Sequence, residues 1–322
     1  PEFGVTPTLL TPQEFRTIPC PTYPEIRLAI TMPGAIARKA AEAKPDHVHI
    51  ATEGPIGSAV RRWCLRSDVM FTTSYHTRFP EYLRARLPVP TRWTYAWLRS
   101  FHNAGSGCMV ATPSLEAELR ERGFKNLMRW SRGVDAELFH PRRERDVLDL
   151  PRPIFLYVGR VAVEKNIGAF LSLDLPGSKV VVGDGPALES LKRTYPDVSF
   201  LGVKTGEALA EAYAAADCFV FPSRTDTFGV VLLEALASGL PVAAYPVVGP
   251  RDVIGDSGAG VLSEDLRAAA LAALEIPRAR CRAVALEHSW QAATRQFIEN
   301  VAAVHLIAGP ELAGLRFANA AE

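Results

Sequence analysis

The chain has 322 residues, 48% of them hydrophobic and 22% charged, a balance that excludes a disordered tail and, at roughly 150 residues per domain, predicts two domains with separate cores. Lys plus Arg number 36 and Asp plus Glu 35, so no global field argues for nucleic acid, and none is expected as a partner. The charge is uneven, however. Residues 1–150 hold 21 basic and 16 acidic side chains, which makes the first half the one expected to meet the more anionic partner.

Five scattered cysteines, Cys20, Cys64, Cys108, Cys218 and Cys281, show no metal-ligand spacing and favour a reducing compartment. No apolar run approaches the 18 or more residues of a membrane span, and the opening PEFGVTPTLL lacks the charge and apolar core of a secretory signal. A cytoplasmic protein is expected, with no metal and no bound cofactor.

In chain order, Val5–Leu10 reads as a strand with nothing upstream to pair it. Helical patterns over Pro33–Ala43, Ser114–Arg122, Pro186–Thr194 and Glu207–Ala216 then alternate with β-rich runs at His47–Ile50, Val69–Thr73, Cys108–Ala111, Ile154–Val158, Lys179–Val182, Val198–Leu201, Cys218–Phe221 and Pro241–Tyr245. Strand and helix in repetition predict an α/β protein with parallel sheets covered on both faces. Phe139–Pro153 combines three prolines with a dense charge cluster and reads as a linker. Residues 1–145, 146–288 and 289–322 are therefore expected as a first domain, a second domain, and a terminal helix and tail that crosses back to the first. Two doubly wound domains in tandem leave a cleft, with ligands at the carboxyl ends of the strands.

Phe219–Pro241, FVFPSRTDTFGVVLLEALASGLP, is an apolar strand, a polar turn and an almost wholly apolar helix carrying Glu234. A carboxylate on a buried helix demands a partner. With Asp226 at the helix start, Thr225 to Thr227 as caps and free N–H groups facing outward, the helix end suits an anion. A helix beginning near Thr227 puts Glu234 roughly 10 Å along the axis, a spacing that fits hydroxyls at the two ends of a sugar nucleotide with its diphosphate between them. The competing reading is a core helix with a capping Asp226 and a paired Glu234. Phe155–Ile167, FLYVGRVAVEKNI, ends a strand at Gly159 and sets Arg160 and Lys165 in the next turn, where two cations can neutralise a leaving diphosphate. An exposed basic turn paired with Glu164 is the alternative. In Val180–Leu191, VVVGDGPALESL, Gly183 and Gly185 lack the third glycine of a dinucleotide fingerprint, and a tight turn explains them without a ligand.

These motifs resemble the retaining glycosyltransferases of family 4 with the GT-B fold, two Rossmann-like domains facing a cleft, whose signature is two acidic residues separated by seven. The resemblance implies that Asp226 contacts the transferred sugar, although the family commonly has Glu there, and that Glu234 contacts the ribose. Arg160 and Lys165 would clamp the diphosphate, and His76, at the end of FTTSYHTRFPEY, would lie near the sugar. Gly159, Gly202, Val203, Lys204, Thr227, Phe228, Gly229 and Val230 complete the expected donor pocket. Glu53 and Arg132 are acceptor-side candidates, with capping or pairing to Asp135 as their plainer roles. The implied function is transfer of a hexose from a uridine or guanosine diphosphate sugar, the co-substrate, to a lipid or glycan acceptor, without metal. Sugar-nucleotide epimerisation and silent sugar-nucleotide or membrane binding are the rivals. Family members generally carry a strand, a glycine-bearing loop and a helix before the segment that Val5–Leu10 resembles, so a longer native chain is expected.

Between Arg61 and Phe101 eight arginines (Arg61, Arg62, Arg66, Arg78, Arg84, Arg86, Arg92, Arg99) interleave with Trp63, Tyr75, Phe79, Tyr82, Trp93, Tyr95 and Trp97, against Asp68 and Glu81 alone. That composition suits an anionic membrane surface, at the inner face of the membrane, or equally a solvated helix face over a core.

Overall fold

A computed structural model describes residues 3–20, 23–30, 33–84, 87–142 and 144–307. Its strands are β1 (Thr17–Cys20), β2 (Tyr23–Ala29), β3 (Val48–Ile50), β4 (Phe71–Tyr75), β5 (Gly107–Val110), β6 (Leu127–Arg129), β7 (Ile154–Val158), β8 (Ser178–Val182), β9 (Ser199–Phe200), β10 (Cys218–Phe221), β11 (Val242–Ala244) and β12 (Gly260–Leu262). β3 to β6 form a parallel sheet in sequential order, and a second parallel sheet runs β12-β11-β10-β7-β8-β9. β1 and β2 make a separate antiparallel hairpin.

The second sheet is apolar on both faces because helices cover both. Along β7, Ile154, Leu156 and Val158 enter one core cluster while Phe155 and Tyr157 enter the other. β10 divides in the same way, Phe219 and Phe221 against Cys218 and Val220. This period-2 division is what a doubly covered strand requires. In this sheet the chain winds outward from β7 to β9, returns to β10 on the other side of β7, and winds outward again. The reversal between β7 and β10 is a topological switch point, where the loops that follow two adjacent strands part and open a crevice.

The loops on the β8 side of that crevice pass very close to one another. Gly159 N–H donates to Val182 O at 3.0 Å, Val161 N–H to Asp184 O at 2.8 Å, and Ala187 N–H to Val161 O at 3.0 Å. A Cβ at Gly183, whose φ is +137°, would lie 1.9 Å from the Gly159 carbonyl oxygen, and one at Gly185 would lie 2.4 Å from that of Val161. Backbone packing alone therefore accounts for both glycines of the GDGP turn.

Phe139–Pro153 is firmly tied despite its linker composition. The Asp217 carboxylate accepts from Arg145, from Arg152 at 2.8 Å and from Ile154 N–H at 2.8 Å. Helix Trp290–Ile307 returns to the first sheet. Trp130 Nε1 donates to Ala293 O at 3.1 Å, Ser131 N–H to Gln296 Oε1 at 2.7 Å, and Asn300 Nδ2 to Arg129 O at 2.7 Å.

Two expectations need correction or bounding. Val5–Leu10 is irregular, and the first strand is β1. Val5 and Leu9 are 43% and 76% exposed, and Pro7 supplies no N–H, so nothing holds this stretch in a ladder. The expected tail beyond 307, like residues 1 and 2, lies outside the described residues.

Gly183→Ala is expected to cost about 3 kcal/mol, because strain and a backbone clash coincide. Gly202→Ala, at φ +66° with no atom within 4 Å of the added Cβ, should cost only about 1 kcal/mol. Chemical denaturation of the two variants measures the difference.

Candidate active site

The crevice at the switch point gathers the charged side chains. β7 ends at Val158, and Gly159, at φ +148°, turns the chain into a loop. The Tyr157 hydroxyl donates to Arg160 O at 2.9 Å and braces that loop. A short 3-10 turn at Val163–Lys165 follows, and Asn166 pins it to the β10 side by donating to Pro222 O at 3.1 Å. From this turn Lys165 Nζ reaches Asp226 Oδ1 at 2.5 Å, both side chains being largely buried. Burial opposes charge on Lys165, yet Asp226 and Tyr82 outweigh it and raise its pKa. Among the described residues Asp226 Oδ2 is buried without a hydrogen-bond partner. A buried carboxylate oxygen in that condition is costly unless a ligand donates to it.

The helix after β10 starts later than the sequence suggested. It spans Val230–Ala237, with Gly229 at φ +85° just before it. That left-handed conformation interrupts any helix from Thr227 and leaves Asp226 four residues outside. Glu234 consequently lies about 6 Å from the helix start rather than 10 Å. The threonines do not cap. Thr225 Oγ1 donates to Glu164 O at 3.2 Å and Thr227 Oγ1 to His76 O at 2.7 Å. The N–H groups of Val230 and Val231 make no backbone hydrogen bond among the described residues, as the first positions of a helix leave them. Phe228 is buried in the core rather than presented to the crevice. Glu234 accepts from the Tyr213 hydroxyl at 2.9 Å, and burial raises its pKa against that bond.

The first half supplies the opposite wall. His76 follows β4, and Arg132 Nη2 lies 2.7 Å from its Nδ1. A guanidinium only donates, so Nδ1 accepts and the ring hydrogen sits on Nε2. Burial, reinforced by Arg132, lowers the His76 pKa to about 4. Arg132 itself lies 4.2 Å over Trp130 and donates to Trp130 O and Ser131 O at 2.9 and 3.0 Å. It therefore pairs His76 rather than Asp135, whose carboxylate accepts from Glu137 and Leu138 N–H. Tyr82, from helix Phe79–Arg84, reaches Lys165 Nζ at 3.4 Å, so the two halves meet at the charged centre. Glu53 pairs with His102 at 3.0 Å.

Lys165, Asp226, Thr227 and His76 thus form one connected group with Arg132. Gly202, Val203 and Lys204 lie two strands away, beyond β8 and past β9, with Val203 exposed. Glu164 is buried and does not stand on an exposed turn. Sequence reasoning missed Tyr213 and His102 as partners of acids. A lone hydroxyl in the alanine-rich Gly206–Ala215 helix was the available signal for the first.

The basic and aromatic stretch divides between core and surface. Tyr75 and Tyr95 are core residues, Arg78 pairs Glu118 at 2.5 Å, and Arg61 donates to Phe101 O and Ser100 O. Arg86 lies outside the described residues. Trp93, Trp97 and Phe79 stay 63%, 45% and 40% exposed, and Arg61, Arg62, Leu65, Arg66 and Trp97 line a hollow of about 430 Å³. Among the described residues no helix is long and apolar enough to cross a membrane, and no cluster of three His, Cys, Asp or Glu side chains is arranged to hold a metal.

Comparison with known proteins agrees with this geometry. Solved structures of similar fold include sucrose-phosphate synthase from Thermosynechococcus elongatus, with a TM-score of 0.70 and 24% identity over 86% of this chain and 78% of that one. Anabaena HepE in complex with UDP-glucose gives 0.71 and 16% over 86% and 85%. Both likenesses define a GT-B architecture. A model of the glycosyl transferases group 1 matches residues 152–276 and one of Glycosyltransferase Family 4 matches residues 3–138, and the chain belongs to this group 1 and family 4 type of glycosyltransferase. The sulfoquinovosyl transferase SQD2 of Arabidopsis thaliana is 31% identical over 76% of this chain, and a GDP-mannose-dependent alpha-mannosyltransferase of Mycobacterium tuberculosis 34% over 68%. This chain spans 51% and 60% of the lengths of those two relatives.

Three histidines line the interface of β3 and β4 with the returning helix. His47 Nδ1 lies 3.0 Å from His305 Nε2, and His49 bonds Thr72 and Ser74 at 2.8 Å each. Burial holds the pKa of His47 at about 4 and of His49 at about 3, below the ordinary 6.5, as it does for His76. His47, His49 and His76 are neutral when folded and accept protons on unfolding, so their contribution is intact above pH 6.5 and is lost as pH falls toward 4. Hydrogen exchange as a function of pH is expected to show helix Trp290–Ile307 losing protection over that window before the second sheet does.

Proposed function

We propose that this chain transfers a hexose from a nucleoside-diphosphate sugar to a lipid or glycan acceptor, with retention of anomeric configuration and without a metal. The observation that carries the reading is the Lys165–Asp226 pair, with its unpartnered Asp226 Oδ2, at the switch-point crevice. The Mycobacterium tuberculosis relative named for GDP-mannose and the HepE complex with UDP-glucose support a nucleotide sugar as donor.

On this reading Asp226 Oδ2 accepts from a hydroxyl of the transferred hexose. Lys165 turns toward the diphosphate when the donor enters, joined there by Arg160 and the helix N–H groups of Val230 and Val231. Concentrated positive charge in a shielded crevice stabilises the departing diphosphate, the service a divalent cation performs elsewhere. Glu234, steadied by Tyr213, accepts from the ribose, while backbone around Gly159 and Gly202–Lys204 borders the nucleotide. The anomeric carbon to phosphate oxygen bond breaks, the acceptor oxygen takes the vacated bond on the same face, and the acceptor proton passes to the departing phosphate. His76, hydrogen-bearing at Nε2, orients the sugar, and Arg132 fixes its ring.

Residues 1–145 serve as the acceptor half, residues 146–288 as the donor half, and the helix from residue 289 onward as their tie. The enzyme works at the cytoplasmic membrane face, with Trp93, Trp97 and the hollow of Arg61, Arg62 and Arg66 against anionic headgroups.

Lys165→Ala and Glu234→Ala are expected to lower transfer at least 10²-fold while retaining the fold by circular dichroism, with UDP-glucose and GDP-mannose tested as donors. Wild-type turnover by either variant refutes the assignment, and a rearranged sugar from donor alone points instead to an epimerase. Co-sedimentation with phosphatidylcholine vesicles should rise when phosphatidylglycerol is added and fall for Arg62→Glu combined with Arg66→Glu. Binding indifferent to anionic lipid removes the membrane from the reading.

A further inference from the structure

Below His76 the first half buries a second group of polar side chains that the donor site does not use. His102, the last residue of helix Thr91–His102, has a side chain wholly removed from solvent. It is enclosed by the rings of Tyr75, Phe101 and Phe124, with centroids 5.8, 5.3 and 5.9 Å away. Its Nδ1 lies 2.8 Å from Thr73 Oγ1 on β4, and its Nε2 lies 3.0 Å from Glu53 Oε1. An ionised carboxylate only accepts, so Nε2 carries a hydrogen and donates it to Glu53 whichever way the Thr73 bond runs.

Glu53 stands just before the helix Pro55–Arg66 that follows β3, and Ser58 Oγ braces its carbonyl at 3.1 Å. Its side chain is still 17% exposed, and Oε2 makes no hydrogen bond among the described residues. Glu53 and His76 follow the carboxyl ends of the neighbouring parallel strands β3 and β4, paired in register at Ile50 and Thr73, which places the carboxylate on the same cleft wall. A buried polar network of this kind rigidifies its members at the expense of an apolar core, an expense that makes sense where orientation matters.

We propose that Glu53 Oε2 receives the nucleophilic hydroxyl of the acceptor, and that Thr73 and His102 are positioning residues that aim the carboxylate at it. The inference rests on the transferase reading. In the reaction Glu53 only accepts a hydrogen bond and the proton still leaves with the phosphate. A carboxylate anchored from behind offers one fixed acceptor to a donating hydroxyl, which a polyol acceptor presents.

The test uses His102→Leu, His102→Gln, which restores an N–H near the Nε2 position, and Glu53→Gln. Myo-inositol and methyl mannoside serve as acceptor probes, with UDP-glucose and GDP-mannose as donors. The expected result is an acceptor KM raised at least 10-fold in His102→Leu and Glu53→Gln, return to within about threefold of wild type in His102→Gln, and nucleotide affinity by calorimetry unchanged within twofold. An unaltered acceptor KM in folded His102→Leu or Glu53→Gln overturns the proposal, as does an equal loss of nucleotide affinity. The His102 ring is followed by NMR in the same proteins. Burial opposes its charge, but Cys108 and Glu53 outweigh burial and raise the pKa to about 9, so Glu53→Gln should move the ring titration downward, and an unmoved titration refutes the pair itself. A wild-type protein that binds nucleotide and transfers to neither probe fails the transferase reading instead, while the ring titration still reports on the pair.

Discussion

The structure depends on the parting of two neighbouring strands. β7 and β10 pair through Phe155 with Cys218 and Leu156 with Phe219, and the loops that follow them leave in opposite directions. Backbone groups at the diverging ends cannot satisfy one another, so charge concentrates in the gap. Lys165 arrives from one loop and Asp226 from the other. Neither charge would be tolerable there alone, since the cost of burying an isolated ammonium or carboxylate exceeds what packing returns. Paired, they hold the crevice ready, with one carboxylate oxygen left over for a ligand.

The rest of the second half keeps that gap in shape. The Gly159 and Gly183 loops lie in backbone contact, closer than any side chain permits. Asn166 ties the lysine turn to the β10 loop, and Tyr213 holds Glu234 from within the core. Each bond joins a residue of the crevice to a framework that is almost wholly apolar, so the polar atoms have few alternative partners and correspondingly little freedom.

The first half meets the crevice through few but directed contacts. Thr227 bonds the carbonyl of His76, Tyr82 touches Lys165, and Ser114 donates to Asp252 at 2.8 Å. Helix Trp290–Ile307 then fastens the junction from behind through Trp130, Ser131 and Arg129. Beside these polar contacts Ala111 and Val134 enter the core of the second half and Val248 packs on that of the first, while the polar ones can be exchanged for ligand contacts at small net cost, as a cleft that must admit two substrates requires.

Much of this was legible in the amino-acid order. Apolar runs such as Ile154–Val158 and Cys218–Phe221 announced buried parallel strands, since only a strand covered on both faces is apolar throughout. Glu234 stood out as a charge on an almost wholly apolar helix, and Asp226 and Lys165 as charges in the turns that follow apolar strands. β6 and β12, three residues each like the predicted β3 and β11, were not legible, because Leu127–Met128 and Val261–Leu262 are apolar runs of only two residues. The helix start was misread because Thr227 looks like a cap until Gly229 is seen at positive φ. What the sequence determined is thus which residues must be buried and which charges need a partner, both local properties of side-chain chemistry. Which partner each charge finds, Lys165 for Asp226, Tyr213 for Glu234, His102 for Glu53, only the tertiary structure decided, because those pairs lie 61, 21 and 49 residues apart and spacing along a chain holds no record of contacts closed by folding.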